Sequence, residues 1–398
     1  MKILQIAPPW IATPPAGYGG TELVIYNLCN GLVELGHEVT LFATKNSQSP
    51  GKLDYVFPKG LVEMDIEWSA SLPPFVHYHQ AFQNADAYDI VHAHLSSGTD
   101  LLILPFLSDR AQKGKAAVMT VHGHWPYDRH TYMDAYFKKL YAKDIATISI
   151  SRAMQKLLPK EFRDIGYVHN SLDPNTLSFR TRSGIYTHKS SRVASRLRGN
   201  DRGYLTWLGK ITPDKGTHEA ILAAKEAAEQ FVFGGIVEKH DKLSIDYFQT
   251  KVKPLIDDDQ VVYLGPLDVK AKNKLMGAAK AFLNPIAWEE PFGMVIIESM
   301  ACGTPVISYN RGAASELIKS GKNGFLVKNR KEMVKAIARI DTIKRKDCRT
   351  YIEEKFSPKA AARKHIAMYQ KEMAKMNLVF GNKRSFAAAQ DDNPKDGK

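Results

Sequence analysis

Ala281-Phe-Leu-Asn-Pro-Ile-Ala-Trp-Glu-Glu290-Pro-Phe-Gly-Met-Val-Ile-Ile-Glu298-Ser-Met-Ala-Cys-Gly-Thr-Pro-Val-Ile-Ser-Tyr309 is the stretch whose reading decides the fold. Ala281–Pro285 reads as a buried strand, Ala287–Gly293 as a loop and Met294–Cys302 as a helix closed by Gly303. A second apolar strand, Pro305–Tyr309, follows. Strand, crossover helix and strand in this order form a parallel βαβ unit. Glu290 then lies on a loop at the carboxyl end of a strand, where open α/β sheets take ligands. The backbone N–H groups of Phe292, Gly293, Met294 and Val295 open the helix, a place that attracts anions. Gly293 lets a ligand approach the backbone closely. Glu298, one turn inside, would repel a phosphate but accept hydrogen bonds from hydroxyls beside it.

The same alternation runs outward through most of the chain. Strands are expected at Lys2–Ala7, Glu38–Ala43, Asp89–His94, Ala117–His122, Ala146–Ile150 and Gly166–Asn170. Between the first two, Val24, Leu28, Leu32 and Leu35 recur at helical spacing, and Gly36 closes the helix. Further strands are expected at Tyr204–Leu208, Phe231–Phe233, Val261–Leu264 and Gly324–Val327, with helices such as Thr217–Glu229 and Val269–Ala279 between them. Strands this apolar, alternating with helices, predict parallel sheets covered on both faces. The expected class is α/β, with two doubly wound, Rossmann-like domains at 1–178 and 204–350. Polar residues 380–398 read as a disordered tail, after a helix near Lys359–Met376.

Composition excludes several classes. A hydrophobic fraction of 44% and a charged fraction of 24% are ordinary for a soluble globular protein. No apolar run approaches the roughly 20 residues a membrane helix needs. Met1-Lys-Ile-Leu-Gln-Ile-Ala-Pro8-Pro reads as a first strand rather than a signal peptide. Cys29, Cys302 and Cys348 lie far apart, which fits a reducing cytoplasm. The net charge of +13 is concentrated. Arg180, Arg182, Lys189, Arg192, Arg196, Arg198 and Arg202 face only Asp201 within 179–203. That segment lacks hydrophobic periodicity and reads as a disordered basic linker insert, not a nucleic-acid surface.

A diphosphate flanked by two polyols would suit the helix start and its two acids, and a nucleotide-sugar has that shape. Glu290-Pro-Phe-Gly-Met-Val-Ile-Ile-Glu298 resembles the acid–seven-residue–acid motif of retaining GT-B enzymes in glycosyltransferase family four. Gly17-Tyr-Gly-Gly-Thr-Glu22 resembles that family's first glycine-rich loop, and Thr120-Val-His122-Gly its acceptor-side histidine segment. Trp207-Leu-Gly-Lys210-Ile-Thr-Pro-Asp-Lys215-Gly resembles its phosphate-binding segment. Val262-Tyr-Leu-Gly265 and Asn310-Arg-Gly-Ala-Ala-Ser-Glu316 also have family counterparts.

The resemblance implies roles. Glu290 would hold hydroxyls of the donor sugar and Glu298 those of the ribose. Phe292 to Val295 would present amides to sugar and diphosphate, and Gly19, Gly20 and Thr21 would close over the diphosphate. Gly265 would belong to the donor site, His122 would sit beside the transferred sugar, and Lys210 and Lys215 would neutralise the leaving group. Lys210 departs from the family, where arginine is usual; lysine keeps the charge but loses the bidentate fork. His124, Trp125, Asp128 and Arg129 would lie on the acceptor side. The two domains would face a central cleft, with a helix in 357–378 packing back on the first. No metal or other cofactor is expected. Partners would be a nucleotide-sugar, uridine diphosphate sugars first, and a glycan, lipid-linked or small-molecule acceptor. The place would be the cytoplasm, with the inner membrane face accessible to a basic protein.

The same residues admit other readings. Glu290 and Glu298 could be surface acids or a glycoside hydrolase pair. The glycines do not spell GxGxxG, so a dinucleotide fingerprint fits poorly. His92-Ala-His94 and His122-Gly-His124 could hold a metal, but His92 and His94 read better as structural strand-end histidines. Asp257-Asp-Asp259 reads as a turn rather than a metal triplet. At the level of function, a nucleotide-sugar epimerase, a binding protein impaired by its linker insert and a charge-driven nucleic-acid binder are the alternatives.

Overall fold

The computed structural model describes residues 1–15, 17, 19–123, 136, 138–177, 203–239 and 241–391, with side chains as far as 379. The linker insert at 179–203 and His124, Trp125, Asp128 and Arg129 therefore lie outside the described residues, apart from Gly203. The chain divides into two compact units. One comprises Met1–Ser171 together with the chain from Pro358 onward; the other is Leu172–Ser357.

The first unit is built on a seven-stranded sheet in which all pairs are parallel. Its strands are β1 (Lys2–Ile6), β2 (Glu38–Ala43), β3 (Lys52–Tyr55), β4 (Ile90–Leu95), β5 (Ala116–Val121), β6 (Ala146–Ser149) and β7 (Arg163–Tyr167), in the order β3-β2-β1-β4-β5-β6-β7. Six of these are the strands expected from apolar runs, displaced by three residues at most. The exception is β3, a partly exposed edge strand carrying Lys52 and Asp54, which has no apolar run to betray it. The order turns about β1, so the loops after β1 and β4 leave the sheet beside the reversal of winding, where such folds hold ligands.

Two apolar layers cover this sheet. On one face Leu4, Val91, Met119 and Leu107 pack together. On the other, Ile3, Leu28, Val118 and Ile148 meet α1 (Gly20–Glu34) and the last helix, which begins at Pro358 and contributes Ala361, Ala362 and Tyr369. The backbones of these two helices approach closely. A Cβ at Gly31 would lie 2.3 Å from the Pro358 carbonyl oxygen. Arg163 ties the same helix to β7 through a two-pronged bond to the buried Glu372. The helix continues to Asp391, well past the Met376 end read from sequence and into the segment whose composition suggested no order.

The second unit carries a six-stranded parallel sheet in the order β10-β9-β8-β11-β12-β13. Its strands are β8 (Leu205–Lys210), β9 (Phe231–Ile236), β10 (Val261–Tyr263), β11 (Ala281–Asn284), β12 (Val306–Tyr309) and β13 (Gly324–Val327). This order turns about β8, so the ends of β8 and β11 flank the reversal. The crossover helices relevant to the site are α2 (Val269–Ala278) and α3 (Met294–Ala301). The unit keeps both its entering and its leaving strands of chain, since the Leu172 amide donates to the Phe356 carbonyl at 3.0 Å.

Candidate active site

In the second unit, β11 delivers the chain into the loop that carries Glu290. Gly293 ends this loop with φ 91°, a left-handed conformation that favours glycine, and α3 starts directly after it without a side-chain cap. The Ile296 amide donates to the Gly293 carbonyl at 3.0 Å, so the cap leaves the Met294 and Val295 amides at the helix start for an outside acceptor. Ala313 fixes the loop from the far side, its amide donating to the Glu290 carbonyl at 3.0 Å. Gly312, at φ 51°, allows this contact: a Cβ there would stand 2.2 Å from the Glu290 oxygen. The Gly312 amide in turn donates to the Glu289 carboxylate at 2.6 Å. Asn310–Glu316, recognisable in sequence but without an assigned role, is therefore the clamp on the Glu290 loop.

The Glu290 carboxylate is mostly buried and accepts two bonds on one oxygen. Lys215 Nζ donates to Oε2 at 2.6 Å and Trp288 Nε1 to the same atom at 3.1 Å. The Lys215 ammonium also lies 4.7 Å from the Trp288 ring centre, close enough for a cation–π attraction. Oε1 carries neither bond. The Lys215 turn is itself fixed. Gly216 takes φ 71° against the Pro285 carbonyl, the Ala287 amide donates to Asp214 O at 2.7 Å, and Trp207 Nε1 reaches Lys215 O at 3.3 Å. Trp288 was missed in the sequence, where nothing distinguishes an indole that orients a carboxylate from a loop aromatic.

Lys210 ends β8 and pairs with Glu238 at 2.9 Å, the two being equally exposed. Glu298 is nearly buried on α3 and accepts from Lys272 of α2 at 2.8 Å. That partner carried no signal in the sequence. Gly265 follows β10 at φ 72° with open space around it. Asp257-Asp-Asp259 folds as the expected turn, with Asp257 accepting from the Asp259 and Val261 amides and from Lys225.

In the first unit, α1 starts at Gly20, with Gly19 before it and Thr21 in its first turn. Glu22 turns inward; burial lifts its carboxyl to about 7, with Asp100 adding to the rise. Asp100 is fully buried and accepts from Tyr78 Oη at 2.7 Å and from the Ser96 and Ser97 amides, both at 2.7 Å. His122 follows β5, with its amide bonded to Leu95 O at 2.9 Å and Nε2 2.9 Å from His94 Nδ1. Desolvation, reinforced by His365, holds the His122 imidazole down to about 3. His92 and His94 are spent on protein partners, as expected for structural strand-end histidines.

Two family models match the chain. Residues 191–357 match the profile of "Glycosyl transferases group 1" and residues 18–176 that of "Glycosyltransferase Family 4". The chain belongs to the family four glycosyltransferases of GT-B fold. Spore coat protein SA of Bacillus subtilis is 24% identical over 348 residues, covering 82% of this chain and 85% of the relative. The crystal structure of AviGT4, a glycosyltransferase involved in avilamycin A biosynthesis, aligns with a TM-score of 0.64 at 20% identity, over 94% of this chain and 98% of its own. Anabaena Alr3699/HepE, solved in complex with UDP-glucose, aligns with a TM-score of 0.62 at 18% identity, over 95% and 100%. This glycosyltransferase has, among its described residues, no helix long and apolar enough to cross a membrane.

Proposed function

We propose that the enzyme is a retaining glycosyltransferase that moves a sugar from a nucleoside diphosphate sugar to a hydroxyl group. The acceptor is a glycan, a lipid-linked sugar or a small metabolite. A uridine diphosphate donor is favoured because a solved relative carries UDP-glucose. The observation that carries the reading is Glu290. Lys215 and Trp288 fix one of its oxygens at the start of α3, which leaves Oε1 to accept sugar hydroxyls. Glu298, on the same helix, takes the ribose.

Transfer forms a bond from the acceptor oxygen to the anomeric carbon as the bond from that carbon to the β-phosphate oxygen breaks. Attack comes from the face the phosphate leaves, and the departing phosphate oxygen takes the acceptor's proton. Charge grows on the diphosphate through an oxocarbenium-like state. Lys215, Lys210 and the amides opening α3 offset it, with His122 accepting from a hydroxyl of the sugar and Gly19, Gly20 and Thr21 serving the diphosphate. In this scheme no metal takes part, and the reaction runs in the cytoplasm, at the inner membrane face where the acceptor is lipid-linked.

Glu290→Ala is expected to lower kcat by about 10²- to 10³-fold while the melting temperature holds, since one well-placed polar contact to a transition state is worth roughly 3–4 kcal/mol. Steady-state transfer from a panel of nucleotide-sugars checks this. Undiminished turnover would remove the assigned role, and conversion of donor without any acceptor would point to an epimerase. Excess EDTA is expected to leave the rate unchanged; loss restored by a divalent ion would break the metal-free scheme.

A further inference from the structure

This inference deepens the role given to His122 and concerns what holds its ring. A chain of hydrogen bonds leaves His122 and runs into the buried layer of the first unit. His122 Nε2 lies 2.9 Å from His94 Nδ1 on β4, and His94 Nε2 lies 2.8 Å from Gln5 Oε1 on β1. Gln5 Nε2 donates to Tyr369 Oη at 3.1 Å, from the last helix. Tyr369 Oη is 2.6 Å from His92 Nδ1, and His92 Nε2 is 2.8 Å from Thr120 Oγ1 on β5. Gln5, His92, His94 and Tyr369 are all essentially without solvent exposure. No charged side chain bonds to any member among the described residues, although His365 packs against His92 and Tyr369.

Such a chain has a direction. A carboxamide has a donating end and an accepting end, so the orientation of Gln5 sets the sense of its bonds to His94 and Tyr369 and, through the His94 ring, of the bond to His122. Its carbonyl faces His94, so the proton of His94 sits on Nε2 and its Nδ1 is a lone pair. His122 must then donate from Nε2. On the other side the Gln5 amide donates to the tyrosine oxygen, the phenol donates to His92 Nδ1, and His92 donates from Nε2 to Thr120. The short Tyr369–His92 separation supports this sense, because a phenol is the stronger acid of the two and an imidazole the stronger base. The opposite sense would ask an imidazole N–H to donate to a phenol oxygen.

We propose that Gln5, His94 and Tyr369 are positioning residues that lock His122 as the neutral Nε2–H tautomer, leaving Nδ1 able only to accept a hydrogen bond from a substrate hydroxyl. Burial of the rings, which disfavours the imidazolium, keeps the chain neutral at the pH of the cell. His122 therefore neither donates a proton nor offers positive charge. It selects a sugar with a hydroxyl at that place, and a deoxy analogue loses the contact.

The test is long-range proton–nitrogen NMR of the full chain labelled with ¹⁵N-histidine, the His122 signals being assigned by their loss in His122→Asn. The expected wild-type spectrum has the proton on Nε2. Tyr369→Phe keeps the ring and removes the phenolic donor. It is expected to mix the two His122 tautomers and lower kcat about tenfold, a change of roughly 1.4 kcal/mol. KM for the donor and the affinity for uridine diphosphate should stay within about twofold. A wild-type proton on Nδ1 overturns the proposal without recourse to any variant. So does a fall in kcat with the His122 tautomer unchanged, which would make Tyr369 a packing residue. An inactive wild-type protein would sink the transferase reading instead, while the tautomer stays measurable.

Discussion

The two units share a doubly wound parallel sheet, and each sets a glycine-bearing loop, that of Gly19 after β1 and that of Gly293 after β11, beside its reversal of strand order, yet they solve the electrostatics in opposite ways. The second unit uses ion pairs that keep partial contact with water: Lys215 with Glu290, Lys272 with Glu298, Lys210 with Glu238. The first uses neutral polar groups from which water is removed, with imidazoles pushed down and a carboxyl pushed up. On the proposed reaction, charge is useful where a diphosphate would leave, because it acts over distance and from several angles. Direction is useful where hydroxyls must be told apart, and a buried neutral chain has direction without the cost of burying an ion.

This contrast has a consequence for acid stability. His77 and His365 are buried, and desolvation takes each of them down to about 4. A histidine held below its unfolded value of about 6.5 contributes stability that is present above that pH and lost as pH falls towards the folded value. At pH 5 each such ring costs about 2 kcal/mol, before His92, His94 and His122 are counted. Glu22 works the other way. Its folded value near 7 lies above the unfolded one, so its contribution is present at low pH and lost as pH rises through 7. One carboxyl does not outweigh five imidazoles. Peptide-resolved hydrogen exchange at pH 7.5 and pH 5 is expected to show the first unit losing several kcal/mol while the second changes little. Equal losses in both units would erase the distinction.

How much of this contrast the sequence reveals depends on which physical rule writes it. Apolar runs wrote the strands, because a strand buried on both faces must be apolar; β3 escaped because an edge strand need not be. Glu290 and its helix start were legible because a loop, a glycine and an apolar helix follow one another within a few residues. The partners that tune the site were not. Lys272, His94 and Tyr369 reach their targets from other elements of the fold, Trp288 reaches Glu290 only through the turn of its loop, and Gln5 is the one polar residue among the buried positions of β1. Histidines on alternate residues of a strand end look alike whether they serve a metal, a core or a relay. Only their neighbours on β1 and the last helix distinguish these.

A pair of glycines sharpens the geometric side. Gly312 and Gly265 both have positive φ, at 51° and 72°, but only Gly312 also has backbone within 2.2 Å of a would-be Cβ. Gly265→Ala should pay only the left-handed backbone strain, about 1 kcal/mol. Gly312→Ala must also push the Glu290 loop away, and is expected to cost about 3 kcal/mol of stability and to lower kcat by more than tenfold. Chemical unfolding and transfer kinetics on the two variants decide it. Similar losses in both would mean that the clamp yields easily and does not position Glu290.

The smallest effect expected is at Lys272. Its pair with Glu298 is partly exposed, and such pairs are worth roughly 0–1 kcal/mol. Two outcomes compete. Lysine could occupy the carboxylate oxygen that a ribose hydroxyl needs, so that its loss would tighten binding. Alternatively it balances a carboxylate that otherwise repels the nearby diphosphate. The second effect is expected to win, because only one Glu298 oxygen is bonded to Lys272, at 2.8 Å, which leaves the other for the ribose proposed to bind there. Lys272→Met should therefore weaken uridine diphosphate about threefold to fivefold, equivalent to roughly 1 kcal/mol. Uridine, which lacks the phosphates, should be affected less. Calorimetry with the two ligands separates the cases: tighter binding of both would make Lys272 a competitor for the ribose site.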